Sequence, residues 1–198
     1  MITNQLQNKN ILYLSVRTFN LEEQIKSKLE EFGAKVYFYD ERIKDTNLTK
    51  AIIRVKKDLY GRKITKYYEK ILAETKTVNF DYLLVVRGEV IPEFFLIVFK
   101  KNHPNCTFIF YNWDSFKNTN NTTTMLHLYD RKFTFDPEDA KSYNICFRPL
   151  YYIDEYAKIS QQKSKKYDLL FLGTAHSDRY VISSKLKKYL EKNGKVAF

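Results

Sequence analysis

Cysteine is nearly absent from this chain. Cys106 and Cys146 are the only two, forty positions apart, and neither sits in a CxxC pair or a Cys/His spacing. That excludes a disulfide framework and a zinc finger or ribbon. Each falls within an apparent strand, which predicts two buried, reduced thiols. Histidine is equally sparse: His103, His127 and His176 are scattered, and only His176 has polar company of the kind a site needs. Long apolar runs are missing as well. The longest, residues 94–99, is far short of the roughly 20 apolar residues that cross a bilayer. Residues 1–10 are polar and lack the apolar centre of a secretory signal. Neither a Walker loop nor the three-glycine dinucleotide fingerprint occurs. The expectation is a cytoplasmic, metal-free protein that meets a membrane only by lying on it.

What is present is apolar and basic. Of 198 residues 44% are apolar and 16% aromatic, which favours a folded chain over a disordered one. The net charge is +11, from 34 basic and 23 acidic side chains, and suits an anionic partner such as a nucleotide diphosphate or a phospholipid surface. A compositional bias toward Lys, Asn, Ile, Tyr and Phe accounts for the same excess without any partner. No RNA- or DNA-binding motif accompanies the charge, so no nucleic-acid partner is expected.

Read in order, the chain alternates strand and helix. Residues 11–16 form an apolar run, and 21–32 repeat apolar residues at helical spacing up to Gly33, a C′ residue. Residues 35–39 give a second strand. A β-α-β unit with so short a connection implies parallel strands and a right-handed crossover. The loop 17–20, with Arg17, then lies at the carboxyl edge, where open α/β sheets bind ligands. Residues 47–76 read as helical with a phase change at Gly61, and Lys50, Arg54, Lys56, Lys57, Arg62, Lys63, Lys66 and Lys70 dominate the polar face. That face suits either solvent or anionic lipid headgroups.

Residues 82–86 give a third strand ending in Arg87-Gly88-Glu89, and a helix is expected over 92–101 with Pro92 in its first turn. Residues 107–111 give a fourth strand ending in Asn112-Trp113-Asp114-Ser115. The single tryptophan beside a carboxylate fits a sugar-binding or base position, and fits a packed aromatic beside a helix cap equally well. Residues 132–135 and 145–150 give two further strands, separated by Asp136-Pro137-Glu138-Asp139, a turn into a helix.

Residues 157–166 have the composition of a linker. Beyond it, residues 169–172 form an unbroken apolar run, expected to be a strand buried on both faces. Gly173 ends it, and Ser177 or Asp178 is placed to cap a helix through Lys192. The open helix N-terminus and Arg179 in its first turn favour an anion. An ordinary structural corner has the same residues. Residues 195–198 begin another strand.

Tyr39-Asp40-Glu41-Arg42, Phe80-Asp81-Tyr82 with Arg87-Gly88-Glu89, Tyr111-x-Trp113-Asp114-Ser115, Phe135-Asp136-Pro137-x-Asp139, Pro149-Leu150-Tyr151-Tyr152 and residues 167–174 together resemble the N-terminal part of bacterial glycosyltransferases of the spore-protein CgeB-like type, found with capsule and lipopolysaccharide genes. The resemblance implies the GT-B arrangement of two Rossmann-like domains, without a metal or cofactor and with a nucleotide-sugar as substrate. It divides the chain into an acceptor-side domain (1–155), a linker (156–166) and the start of a donor-side domain (167–198), the rest of which would be missing. Glu89 and Asp114 become catalytic candidates, with Arg17 and Trp113 beside them on the acceptor side. Gly173, Thr174, His176, Ser177 and Arg179 become the donor-phosphate loop. The implied reaction moves a sugar to a polysaccharide or lipid-linked acceptor at the inner face of the membrane. The alternative is a non-catalytic Rossmann-like module that binds a nucleotide or a partner.

Overall fold

Right-handed crossovers fix which face of a parallel sheet each helix covers, and they explain most of this structure. The computed structural model describes residues 5–43, 57–160, 166–173 and 177–197. The chain divides into two compact units, Met1–Tyr151 and Tyr152–Phe198. In the first, strands β1 (Asn10–Ser15), β2 (Lys35–Asp40), β3 (Tyr82–Val86), β4 (Thr107–Asn112), β5 (Arg131–Thr134) and β6 (Cys146–Phe147) form one sheet in the order β2-β1-β3-β4-β5-β6. Every pairing is parallel. The unit is a Rossmann-like α/β fold.

The chain steps from β1 out to β2 and then back across β1 to β3. Handedness therefore puts helix α1 (Leu21–Glu31) on one face, and α2 (Lys57–Thr75) and α3 (Glu93–Asn102) on the other. The second face holds the main core. Leu12, Leu14, Leu83, Val85, Phe108 and Phe110 point into it. Tyr68 of α2 meets Phe95 of α3 at 5.0 Å, and Phe95 stacks on Phe99 at 5.6 Å. Each fully buried ring contributes about 1.5 to 3 kcal/mol. The 3₁₀ segment Asn120–Leu128 and helix α4 (Pro137–Tyr143) complete this side. On α1's side, alternate residues of β3 and β4 are only partly buried, so the sheet is not sealed on both faces.

Local chemistry sets the element ends. Asp136 caps α4 by accepting from the Glu138 and Asp139 amides at 2.9 and 3.3 Å, with Pro137 at the first helical position. β6 is shorter than the sequence predicts. Arg148 donates once more to the Thr134 carbonyl at 2.8 Å, and Pro149 then has no N–H with which to continue. Cys106 is buried as expected, but Cys146 is exposed because β6 is the edge strand. In its described part α2 runs unbroken through Gly61. The expected helical residues 47–56, with Lys50, Arg54 and Lys56, lie outside the described residues, and so does the side chain of Lys57.

The second unit contains helix α5 (Asp154–Ala157), helix α6 (Arg179–Lys192) and a parallel bridge between Leu169 and Ala197. This is a minimal β-α-β. The run 169–172 is not the buried strand that its composition predicts: Leu170, Phe171 and Leu172 are exposed. One bridge partner gives those side chains no layer to pack into.

Gly88 is the most constrained glycine of the sheet's carboxyl edge. Its φ is +68°, and an added Cβ would stand 2.9 Å from Val85 Cγ1 and 3.1 Å from the Phe110 ring. Gly88→Ala meets both backbone strain and a core clash, so chemical denaturation should show a loss of about 1 to 3 kcal/mol. Unchanged stability would contradict this packing.

Candidate functional site

Because β1 has β2 on one side and β3 on the other, the loops after β1 and β3 diverge and leave a crevice at their carboxyl ends, the switch point of open α/β sheets. The first loop starts at Val16. The Thr18 amide donates to Glu22 Oε2 at 2.9 Å, which ties the loop to the first turn of α1. Phe19 and Asn20 are left-handed, with φ of +49° and +64°, and Phe19 points into solvent. Arg17 reaches sideways to Asp40 at 3.7 Å and lies over the Phe38 ring.

The segment after β2 is held from below by α2. Tyr67 donates its hydroxyl to the Asp40 carbonyl at 2.6 Å, and Tyr68 donates to the Glu41 carbonyl at 2.9 Å. Glu41 is thereby turned into the protein and is 1% exposed. Its Oε1 accepts the Glu89 amide at 3.2 Å, and its Oε2 has no partner among the described residues. Burial raises the Glu41 carboxyl to about 7, against the opposing pull of the Glu89 amide, the Arg42 and Arg87 guanidiniums and the Gly88 amide.

Above this carboxyl, charges from three strand ends are linked. Glu89 Oε2 accepts from Arg42 at 2.8 Å and forms an ion pair with Arg87 at 3.0 Å, and Arg87 also faces Asp114 Oδ2 at 3.8 Å. The chain of contacts runs from the end of β2 over β1 to the ends of β3 and β4. Arg87 takes a left-handed φ of +78°, its amide donates to the Tyr111 carbonyl at 2.9 Å, and its buried Nε has no partner among the described residues. A non-glycine residue in that region is strained by about 1 to 3 kcal/mol.

Asp114 has two different oxygens. Oδ1 accepts from the Ser115 amide at 2.9 Å and from the Asn118 side chain at 3.0 Å, as a turn cap does. Among the described residues Oδ2 has a long contact to Arg87. Next to it Trp113 lies 6.4 Å from the Tyr151 ring, and Tyr111 donates its hydroxyl to the Pro149 carbonyl at 3.3 Å. The capping reading of this stretch is seen in the bonds of Oδ1.

Of the residues picked out by sequence, Glu89 and Asp114 are brought together through Arg87, with Trp113 adjoining. Arg17 pairs instead with Asp40, at the β2 side. In the second unit, Gly173 does not have a positive φ, so the turn does not demand glycine there; Ser177 does, at +56°. Asp178 occupies the N-cap of α6 without a side-chain cap bond, and Arg179 is the first helical residue. Thr174 and His176 lie outside the described residues. Glu41, Arg42 and Arg87 were missed as site residues. The signal available was the placement of Asp-Glu-Arg and Arg-Gly-Glu directly after two strands. No group of three His, Cys, Asp or Glu side chains that could hold a metal occurs among the described residues, and no described helix is long and apolar enough to cross a membrane. Comparison with protein-family models, curated proteins and solved structures finds no match, so the site is interpreted from its own geometry.

The raised Glu41 carboxyl has a calculable effect on stability. An unfolded glutamate releases its proton near pH 4.3, whereas Glu41 in the fold keeps it to about pH 7. Between these values the native state holds the extra proton, so the contribution of Glu41 to stability falls as pH rises through the window and stays low above it. Glu41→Gln keeps the acceptor for the Glu89 amide and removes the buried charge. Denaturant titrations should show the variant more stable than wild type above pH 7, by up to about 4 kcal/mol, with the gain vanishing toward pH 4.5. A difference constant with pH would contradict the assignment.

Proposed function

We propose that the chain carries the acceptor-side domain of a metal-independent GT-B glycosyltransferase, with donor-side residues in its second unit. The observation that carries this reading is Asp114. Its Oδ2 has one long contact, to Arg87, among the described residues, and it follows Trp113, whose ring packs toward Tyr151, at the carboxyl edge of a parallel sheet. Glycosyl transfer needs a carboxylate to take or orient the acceptor hydroxyl proton, and a flat apolar wall suits a sugar ring. Arg87 orients Asp114, and Glu89 orients Arg87 from the other side. Arg17 offers a further donor to acceptor hydroxyls. In the second unit Gly173, Thr174, His176, Ser177 and Arg179 are assigned to the departing diphosphate, where the α6 N-terminus and a guanidinium favour negative charge.

The substrate class is a nucleotide-sugar, and the acceptor a polysaccharide or lipid-linked glycan of the cell surface, made in the cytoplasm at the inner face of the membrane. The exposed Arg62, Lys63, Lys66 and Lys70 of α2 fit contact with anionic lipid there. A second reading has its own observation. Glu89 Oε2 is shared by two guanidiniums, so this carboxylate is built into structure and is not free to move a proton. On that reading the chain binds a nucleotide or a partner without turnover.

The two are separated by assaying the chain, and any longer chain that contains it, against a panel of nucleotide-sugars with acceptors presented in anionic and in neutral vesicles. Transfer is expected, faster on anionic vesicles, with Asp114→Asn lowering kcat about 10² to 10⁴-fold. Arg179→Ala should weaken donor binding by about 1.5 to 3 kcal/mol, and Arg179→Lys should recover only part of it. Donor binding with no transfer to any acceptor would favour the binding module. Full activity of Asp114→Asn would remove Asp114 from the chemistry.

A further inference from the structure

We propose that the corner Arg87-Gly88-Glu89 is a proton-linked latch over Glu41, closed while that carboxyl is neutral and opened as it ionises. The proposal rests on the geometry of the corner and does not depend on glycosyl transfer. Three observations meet here. Glu41 is covered by the corner, with one oxygen on the Glu89 amide and the other without a partner among the described residues. The corner is strained, since Arg87 and Gly88 both take positive φ, at +78° and +68°, and Arg87 is not a glycine. The guanidinium under strain also keeps its buried Nε without a partner among the described residues. Opening would hydrate a buried acid, relax Arg87 and solvate its Nε together.

What holds the latch shut is equally local. The Arg87 amide donates to the Tyr111 carbonyl at 2.9 Å, and Arg42 grips Glu89 at 2.8 Å. The charged and titratable groups facing Glu41 are Arg42 on its own segment, Arg87 from the corner, Tyr68 from α2, and Tyr129 from beyond the 3₁₀ segment. The two guanidiniums favour the carboxylate, but burial outweighs them and the neutral acid is preferred in the closed state. A solvated glutamate ionises near pH 4.3, so each unit of pH between that value and neutrality shifts the balance toward the open corner. Opening separates Glu89 from Arg42 and swings Arg87 away from Asp114, so it exposes a cation at the switch point. The latch thus couples proton release to the charge presented to an anionic ligand.

The test is amide hydrogen exchange followed by NMR on the full chain from pH 5 to 8, corrected for intrinsic base-catalysed exchange. The β3 amides 83–85 serve as the reference for global unfolding. In wild type the opening constant of Gly88 and Glu89 should exceed that of the reference and rise by up to tenfold per pH unit between pH 5 and 7, the dependence for one proton, then level off. In Glu41→Gln it should not change with pH. Opening that is independent of pH in wild type, the same dependence in Glu41→Gln, or exchange only through global unfolding would overturn the latch. Should Glu41→Gln fail to fold, the side-chain carboxyl of Glu41 is titrated by ¹³C NMR in wild type. A midpoint near neutrality supports the latch, and one below pH 5 overturns it.

Discussion

The position of β1 is the constraint on which the rest depends. The chain places β2 on one side of it and β3 on the other, all parallel, so right-handed crossovers must send α1 to one face and α2 and α3 to the other. Two consequences follow at the carboxyl edge. The loops after β1 and β3 part and leave a crevice, and the ends of β2, β3 and β4 come within side-chain reach across it. The contacts Arg42–Glu89 at 2.8 Å and Arg87–Asp114 at 3.8 Å exist only because of that order.

Two forces compete beneath the crevice. Burial penalises the Glu41 charge, while the corner's amides and the neighbouring guanidiniums favour it; burial wins and the carboxyl moves to about 7. A fold selected only for stability would replace such a group by an apolar side chain of similar size. Here it is retained beside a strained Arg87, which in turn faces Asp114. The aromatic core on the α2 and α3 side is what makes this tolerable. Tyr68, Phe95, Phe99, Phe108 and Phe110 are all fully buried and stabilise the platform on which the corner stands.

Much of the scaffold was legible in the sequence. Short apolar runs followed by helical spacing located β1, α1, β2, β3, α3 and β4, and Asp136-Pro137 announced α4, because these depend on local periodicity and capping. The positions of Glu89 and Asp114 just past strand ends were legible as well. Their linkage through Arg87 was not, since it depends on strand order. Glu41 was invisible for a related reason: nothing local shows that two α2 tyrosines will turn it inward. Cys146 and the run 169–172 misled because composition reports what a strand would bury and not whether a neighbouring layer exists. The exposed Leu172 and the edge position of Cys146 are both failures of context.

Trp113 is the only tryptophan in the chain and directly precedes Asp114, so its fluorescence reports on the proposed acceptor position. The decisive measurement is the emission of Trp113 titrated with oligosaccharides of cell-surface type, alongside calorimetry on the same samples. The account predicts a saturable change with the same midpoint as the heat of binding, weakened in Asp114→Asn. Binding heat without any change in Trp113 emission would place the ligand elsewhere and contradict the assignment of this crevice.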